Sequence, residues 1–335
     1  MHHDQMISVL MPVYNSDKHL EEAILSILNQ TYKNFELIIS YDKSTDNSLK
    51  IIKKFEAEDS RIIISYGKRR GIIKALNDGL NLSKGKYLAR MDSDDISLPK
   101  RFETQVKFMN ANTHIGVCGS WIEVFGTSKE NYVLKYPESD DLLKLKLLFS
   151  VSFAHPSVLM RSKLISEYDL KYNEDYETIE DYKFWLDVSK HTKFGMISKV
   201  LLQYRHLETS LSKIADKDNK KRYESHKKVF SEVLETLNIK NTELENRLHF
   251  TIGLNERIAK ENIDLKSLNN YLQKIIKANK SENFFDERSL NWLMTKKFLV
   301  VVYFKIKNKD FSFLKAIFYK FFWLSFFVIL DNKKI

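Results

Sequence analysis

The chain has 335 residues, of which 43% are hydrophobic and 13% aromatic, enough for one large or two modest domains with a real core. Its 9 glycines and 4 prolines are too few for a disordered chain or for an all-β protein rich in turns. The single cysteine, Cys118, excludes an internal disulfide framework and a cysteine-based metal cluster. A formal net charge of +10 suits either a nucleic-acid-binding protein or a protein that rests on an anionic membrane face.

Strands and helices alternate along the first hundred residues. Apolar runs predict four strands, at residues 7–13, 35–41, 61–66 and 86–91. Between them, apolar residues at helical spacing predict three helices, and Asn15 or Ser16 can cap the first of these. This alternation predicts an α/β fold with an open, largely parallel sheet that helices cover on both faces.

Polar loops follow all four predicted strands: Tyr14-Asn15, residues 42–46, Arg69-Arg70 and residues 92–95. Ligands of such sheets gather at the carboxyl ends of the strands, so we expect these loops to converge on one site. Carboxylates and amides suit a base and ribose, and a cation suits a diphosphate, which favours a nucleotide-type ligand. The chain contains no Gly-x-Gly-x-x-Gly or Walker A sequence, so we expect no glycine loop around the phosphates.

Three carboxylates crowd the end of the fourth predicted strand, in residues 90–95. Carboxylates so close repel one another unless they share a cation. Asp92 and Asp94, two residues apart, suit a hard divalent ion that also holds phosphate oxygens. The same run is equally compatible with a solvated acidic turn.

Four motifs, in this order, resemble those of the inverting family 2 glycosyltransferases of GT-A fold: Val9 to Asn15, Asp42 to Asp46, Asn77 to Leu80 and Ala89 to Asp95. Residues 98–105 are similar to the helix that follows the acidic motif in bacterial members acting on surface polysaccharide. The resemblance implies metal-dependent transfer of a sugar from a nucleotide-sugar donor, in particular a UDP-sugar. The implied acceptor is a glycan or a lipid-linked glycan of the bacterial cell surface.

The resemblance also implies roles for particular residues. Asp42 would recognise uracil or ribose, and Asp92 would face ribose or diphosphate. Asp94 would be the main ligand of Mn²⁺ or Mg²⁺, with Asp92 as a second ligand and Asp95 close by. The implied nucleotide-sugar site comprises Pro12, Tyr14, Asn15, Asp42, Arg70, Asp92, Ser93, His155 and Arg205. Tyr41 departs from the family, which often has an acidic residue at this place. Its ring can stack on a base or pack in the core, and we favour packing.

An inverting transfer needs a base that removes the proton from the acceptor hydroxyl. Glu180-Asp181 opens an apolar-faced helix and matches the family's Glu-Asp pair at the acceptor end. The resemblance implies that Asp181 is the base and that Glu180 positions the base or the acceptor. The alternative is a helix N-terminus that favours acidic side chains for electrostatic reasons, worth about 0.3–1 kcal/mol.

Two further segments carry site candidates with alternatives. His155 can bind acceptor or phosphate, or it can hold a turn before Pro156, and the resemblance favours the active site. Residues 204–212 resemble a family segment that contacts metal or diphosphate, but His206 stands one place early. A histidine contact to metal is therefore not expected. Arg205 is a candidate partner of the diphosphate or one member of a surface ion pair.

The remaining chain changes character. We predict a GT-A catalytic domain over residues 1–215 and a mainly helical, basic and aromatic region over residues 216–335. Lys315 and Lys320 interrupt the last apolar stretch, so it is too short to span a bilayer. It predicts a cationic, aromatic helix in the interface of an anionic membrane, or a helix packed on the catalytic domain or on a second subunit.

No signal peptide opens the sequence, because Met1 to Gln5 leads into only a short apolar run. We therefore expect a cytoplasmic protein, peripheral on the inner face of the membrane.

Two other functions compete with sugar transfer. A sugar-nucleotide pyrophosphorylase would usually carry a glycine-rich loop near the first strand, where Pro12 to Asn15 stands instead. A nucleic-acid-binding protein would place lysines and arginines among exposed aromatic residues. Here the aromatic residues lie in apolar runs, and the acidic edge would repel phosphate without a metal, so we expect no nucleic-acid partner.

Overall fold

The computed structural model describes residues 5–67, 71–126, 130–208, 210, 213, 215 and 218–324. Arg69 and Arg70 lie outside the described residues, as do Ser212 and residues 325–335 of the C-terminal apolar stretch. The described chain divides into two compact units. The first comprises residues 1–143 and 151–217, and the second comprises residues 144–150 and 218–335.

A mixed sheet of nine strands forms the centre of the first unit in the described chain. The strands are β1 (Ile7–Val13), β2 (Phe35–Tyr41), β3 (Ile62–Tyr66), β4 (Tyr87–Arg90), β5 (Ile96–Ser97), β6 (Ile115–Phe125), β7 (Tyr132–Leu134), β8 (Leu159–Arg161) and β9 (Lys193–Arg205). The helices between them are α1 (Leu20–Leu28), α2 (Ser48–Glu58), α3 (Ile72–Leu82), α4 (Arg101–Ala111), α5 (Asp140–Lys146), α6 (Ser162–Glu167) and α7 (Glu180–Ser189).

The expected parallel sheet is formed by the first four strands, which lie in the order β3-β2-β1-β4. β2 is buried along its whole length and β1 along nearly all of it, as continuous apolar strands covered on both faces should be. β4 ends at Arg90, opposite Leu10, whereas β1 continues to Val13. The loop after β4 therefore starts in a recess at the carboxyl edge of the sheet.

Beyond β4 the sheet becomes mixed. β8 is antiparallel to both β4 and β6, β6 is parallel to β9, and β5 is antiparallel to the end of β9. The β5–β9 pairing has a direct consequence for the site. It brings the end of β9 beside the loop between β4 and β5, which carries the three aspartates. Cys118 is buried in β6.

The second unit is helical in its described part, as the sequence predicts. Its helices are α8 (Asn219–Glu235), α9 (Glu243–Gly253), α10 (Asn255–Ile258), α11 (Leu265–Glu282) and α12 (Glu287–Lys307). Side chains of Asp218, Thr242, Asp264 and Asp286 cap four of these helices by accepting a backbone N–H of the first turn. Residues 144–150 join this unit through Phe149, whose ring stacks on His249 at 4.5 Å.

The end of the described chain differs from the expected continuous helix. Phe311–Phe318 forms a 3-10 helix, and Tyr319 is extended before a last helical turn. The buried ring of Phe298 in α12 contacts the rings of Tyr319 and Phe321, which holds this extended residue in place. Among the described helices, none is both long enough and apolar enough to cross a bilayer.

Candidate active site

The loops after β1 and β2 interlock through side-chain hydrogen bonds. Asn15 has a positive φ of 48°, and its Oδ1 accepts the backbone N–H of Thr45 at 2.8 Å. Its own N–H donates to Ser44 Oγ at 3.0 Å. The Asn15 amide oxygen therefore fixes the loop, whereas the neighbouring Tyr14 side chain is exposed. Pro12 lies half-buried in β1.

Asp42 lies at the end of β2 and is buried. Its Oδ2 accepts the N–H of Gly71 at 2.9 Å, which joins β2 to the start of α3. A small pocket opens beside it, lined by Ser40, Tyr41, Asp42, Ser65, Gly67, Gly71, Ala75 and Asp78. The ring of Tyr41 packs edge-on against Tyr66 with centroids 6.3 Å apart, in agreement with the packing role expected for it.

The three aspartates after β4 come together in what we call the acidic loop, residues Asp92 to Asp95. One carboxylate oxygen from each of Asp92, Asp94 and Asp95 lies within 4.8 Å of the others. Burial first, and then the charge of Asp92, raises the pKa of Asp94 to about 6. The same causes raise the pKa of the buried Asp95 well above its usual range. Ser93 Oγ lies 2.8 Å from Ser16 Oγ, which links this loop to the loop after β1.

Arg90 is the residue of this site that the sequence interpretation missed. It is the last residue of β4, it is buried, and its Nη1 forms an ion pair with Asp92. Burial alone would lower the pKa of the Arg90 guanidinium, but its acidic surroundings, with Asp92 first among them, together outweigh burial and raise it. The signal was present in the sequence. A cationic side chain ends a short strand whose other residues are apolar, two residues before the first aspartate.

Glu180 and Asp181 begin α7, as expected. Glu180 is buried, and burial followed by the charge of Asp181 raises its pKa to about 7. The charges of Arg90 and Asp92 also act on this pKa, in opposite directions, so Glu180 lies within electrostatic reach of the acidic loop. Asp181 is half-exposed, and its Oδ1 accepts the N–H of Tyr182 at 2.7 Å.

The turn before α7 is strained. Thr178 has a φ of 73°, a conformation that is rare for a β-branched residue. Such outliers persist where the surrounding structure enforces them, and they are common at functional sites.

His155 is buried beneath the site, where it contacts Tyr172 and Trp185. Its Nε2 lies 2.8 Å from the hydroxyl of Tyr172, and its ring packs edge-on against Trp185 of α7. Asn77 of α3 clamps the backbone of Tyr172 by two hydrogen bonds of 2.9 Å, and the Tyr172 ring stacks on Phe184 of α7. Burial, and then the charge of Arg90, lowers the pKa of His155 well below its usual range, so the ring is neutral.

Arg205, the last residue of β9, faces the acidic loop. Its N–H donates to Asp95 Oδ1 at 2.8 Å, and its Nε donates to the carbonyl of Asp94 at 2.8 Å. Its Nη2 pairs with Glu22 of α1. The adjacent His206 faces Glu208, with 3.5 Å between Nε2 and Oε1. Burial, and then the charge of Asp92, raises the pKa of the Tyr204 hydroxyl.

The acidic loop fits a divalent cation. Three oxygen ligands converge, and burial followed by like-charge repulsion keeps the pKa values of Asp94 and Asp95 high. A bound cation would relieve the repulsion. Asp95 Oδ2 is buried and has no hydrogen-bond partner among the described residues, and the same holds for Arg90 Nε and Glu180 Oε2. Buried polar atoms of native proteins are usually satisfied, so these atoms make the cluster a candidate site for a polar ligand.

Comparison with known proteins shows which proteins the chain resembles in sequence and in fold. The family model "Glycosyl transferase family 2" matches residues 8–168. An uncharacterized glycosyltransferase of Haemophilus influenzae is 36% identical over 60% of this chain, and the match spans 65% of its length. The O-antigen biosynthesis glycosyltransferase WbnJ of Escherichia coli is 34% identical over 63% of this chain and 83% of its own length.

A third relative has a more specific name. The Escherichia coli UDP-Glc:alpha-D-GlcNAc-diphosphoundecaprenol beta-1,3-glucosyltransferase WfgD is 28% identical over 66% of this chain and 85% of its own.

Two solved structures share the fold at low sequence identity. S. aureus TarS 1-349 in complex with UDP-GlcNAc has a TM-score of 0.56 at 19% identity, covering 93% of this chain and 91% of its own. The mannosyltransferase PcManGT of Pyrobaculum calidifontis, in complex with GDP-Man and Mn²⁺, has a TM-score of 0.54 at 12% identity, covering 91% and 88%. These likenesses establish a GT-A-like fold. Together with the matching family model and the identity to WbnJ, they lead to one conclusion: the chain belongs to glycosyltransferase family 2.

Proposed function

We propose that this protein is a metal-dependent inverting glycosyltransferase that moves a sugar from a nucleotide-sugar donor to a glycan or lipid-linked acceptor of the bacterial cell surface. The observation that carries the proposal is the convergence of three carboxylates within 4.8 Å at the carboxyl edge of the sheet. Membership of family 2 favours sugar transfer over the pyrophosphorylase and nucleic-acid alternatives.

Asp94 and Asp92 would hold Mn²⁺ or Mg²⁺, with Asp95 behind them. A divalent ion held there would supply positive charge against the negative charge that develops on the leaving diphosphate. Asp92 is held by Arg90, so one of its oxygens is oriented before any ligand arrives. The PcManGT complex contains Mn²⁺ together with GDP-Man, which is consistent with an ion at such a site.

The donor nucleoside would lie along the edge formed by the first strands. Asp42 and its pocket would face the base or ribose, with Pro12, Tyr14, Asn15 and Ser93 along the same edge. The contact of Arg70 with the donor diphosphate remains a prediction. The TarS complex holds UDP-GlcNAc and the name of WfgD refers to UDP-Glc, which favours a UDP-sugar donor here.

Asp181 would remove the proton from the acceptor hydroxyl, and the oxygen would attack the anomeric carbon from the side opposite the leaving group. Its half-exposed position at the start of α7 suits contact with an acceptor. The buried Glu180 would position the base or the acceptor, and its raised pKa keeps it partly protonated near neutral pH. His155 would act on the site through Tyr172 and Trp185.

Donor binding and transfer can be tested separately. A thermal-shift screen of nucleotide sugars with Mn²⁺ should show stabilisation by one UDP-sugar, lost in Asp94→Asn and retained in the control Asp169→Asn, whose aspartate side chain is 94% exposed. Asp181→Asn should retain this stabilisation while transfer falls by about 10²- to 10⁴-fold. Full transfer in the presence of a chelator would remove the metal from the proposal, and unchanged transfer by Asp181→Asn would remove Asp181 as the base.

We also propose that the second unit rests on an anionic membrane, where a lipid-linked acceptor would be found. Phe311, Leu314 and Phe318 of the 3-10 helix are 74%, 58% and 79% exposed. Lys307, Lys309, Lys315 and Lys320 lie in the same stretch, so the charge suits anionic head groups. The name of WfgD, with its diphosphoundecaprenol acceptor, supports a lipid-linked substrate.

Vesicle flotation tests this surface. Changing Phe311, Leu314 and Phe318 together to serine should abolish binding to vesicles that contain phosphatidylglycerol and leave the melting temperature unchanged. The control Leu244→Ser alters another exposed leucine of the second unit, 70% exposed, and should bind as the unaltered protein does. Equal flotation of the triple variant would contradict the membrane role, and a change of oligomeric state would indicate a second copy instead.

A further inference from the structure

We infer that Arg205 is a positioning residue that holds the acidic loop in the shape needed for the metal. This inference rests on the proposed metal role of Asp94. It differs from the role that resemblance to the family suggests for Arg205, a direct contact with the donor diphosphate.

The side chain of Arg205 contacts three other groups of the first unit. Its guanidinium donates through Nε to the carbonyl of Asp94 and through Nη2 to the Glu22 carboxylate. One face of the guanidinium lies over the ring of Phe125, 4.4 Å from the ring centroid. The Arg205 side chain is only 13% exposed. A guanidinium fixed by a carbonyl, a carboxylate and an aromatic ring is well suited to bracing a loop.

The sheet explains why Arg205 lies there. β5 follows the acidic loop directly, and its Ile96 pairs with Gln203 of β9. Two residues further along β9, the N–H of Arg205 reaches Asp95 Oδ1 at 2.8 Å. Backbone pairing therefore fixes the carboxyl end of the loop, while the Arg205 side chain fixes the carbonyl of Asp94.

Glu22 completes the brace by pairing with Arg205 Nη2. It belongs to α1, which follows the loop after β1, so the ion pair with Arg205 joins that helix to the acidic loop. The adjacent Glu21 provides a matched comparison, because it pairs with Lys54 at 3.0 Å on the exposed surface. Loss of the Glu22 pair should therefore disturb the loop, and loss of the Glu21 pair should not.

Two measurements on the full chain test the inference. The first is Mn²⁺ binding without nucleotide, measured by calorimetry. Arg205→Met should raise the Kd for Mn²⁺ by about 10- to 100-fold, the range typical of groups that orient metal ligands. Glu22→Gln should give a smaller increase, and Glu21→Gln should give none. The second is hydrogen exchange of the metal-free protein, in which Arg205→Met should lose protection across residues 92–97.

The outcomes separate the two roles. If Arg205→Met leaves the Kd for Mn²⁺ and the exchange of residues 92–97 unchanged but raises KM for the nucleotide sugar, Arg205 contacts the diphosphate and the inference is wrong. If the unaltered protein binds no Mn²⁺, the metal role of Asp94 fails, and hydrogen exchange still decides whether Arg205 braces the loop.

Discussion

Replacing Arg90 by methionine removes the positive charge that the carboxylates of the acidic loop face. Arg90 is 3% exposed in its side chain and Asp92 is 27% exposed. Breaking a buried ion pair by removing one partner costs about 3–5 kcal/mol, and the partial exposure of Asp92 favours the lower end of that range. In a unit of about 200 residues, a loss of about 3 kcal/mol lowers the melting temperature by roughly 6–12 °C.

The loss of stability in Arg90→Met should increase with pH. The pKa values of Asp94, about 6, and of Glu180, about 7, are already raised, so the folded protein binds protons that the unfolded chain releases. Arg90 lowers both pKa values, and Arg90→Met should raise them further. The deficit in stability is therefore largest above pH 7 and shrinks as the pH falls and these carboxyls become protonated.

Calorimetry in the presence of a chelator, at pH 5 and at pH 7.5, measures both effects. Lys54→Met removes the cation of an exposed ion pair and should leave the melting temperature nearly unchanged at either pH. A deficit for Arg90→Met that is the same at both pH values, or no larger than that of Lys54→Met, would refute the view that Arg90 offsets the charge of the carboxylates.

Three further outcomes are expected. The affinity for Mn²⁺ should fall as the pH is lowered from 7 to 5, because protons compete for Asp94, whose pKa is about 6; calorimetric titrations that give the same Kd throughout would contradict this. Tyr172→Phe keeps the ring stack but leaves the buried His155 nitrogen without its partner, and should cost about 1–3 kcal/mol of unfolding free energy in urea titrations. Gly119→Ala places a Cβ 2.5 Å from Phe153 Cδ1 in a packed core and should also cost about 1–3 kcal/mol by the same titration; a fully stable variant would show that the core can expand.

The acidic loop and the first four strands could be predicted from the sequence because each signal is local. Apolar runs set β1, β2, β3 and β4, polar residues mark where they end, and parallel strands bring those ends together. The mixed half of the sheet could not be predicted in the same way. β5 has two residues, and its pairing with β9 joins positions about a hundred residues apart.

The buried polar side chains that support the site could not be predicted from sequence patterns either. Asn77 holds Tyr172 across 95 residues, and Arg101, fully buried in α4, donates to the carbonyls of Arg90 and Val158. Polar side chains of this kind look like ordinary surface residues in a sequence. Their burial follows from packing between residues that are far apart in the sequence. A local hydrophobic pattern does not show such contacts.

Residues 144–150 have a consequence for how the chain is made. Leu145, Leu147, Leu148 and Phe149 are buried and belong to the helical unit, where His249 Nε2 lies 2.7 Å from the carbonyl of Leu148. A ribosome releases this segment about a hundred residues before His249 emerges, at a rate of roughly 5–20 residues per second. During those seconds the four apolar side chains stay exposed, because the rest of the helical unit has not yet been made. A chain cut after residue 215 would never supply them, and we expect it to aggregate.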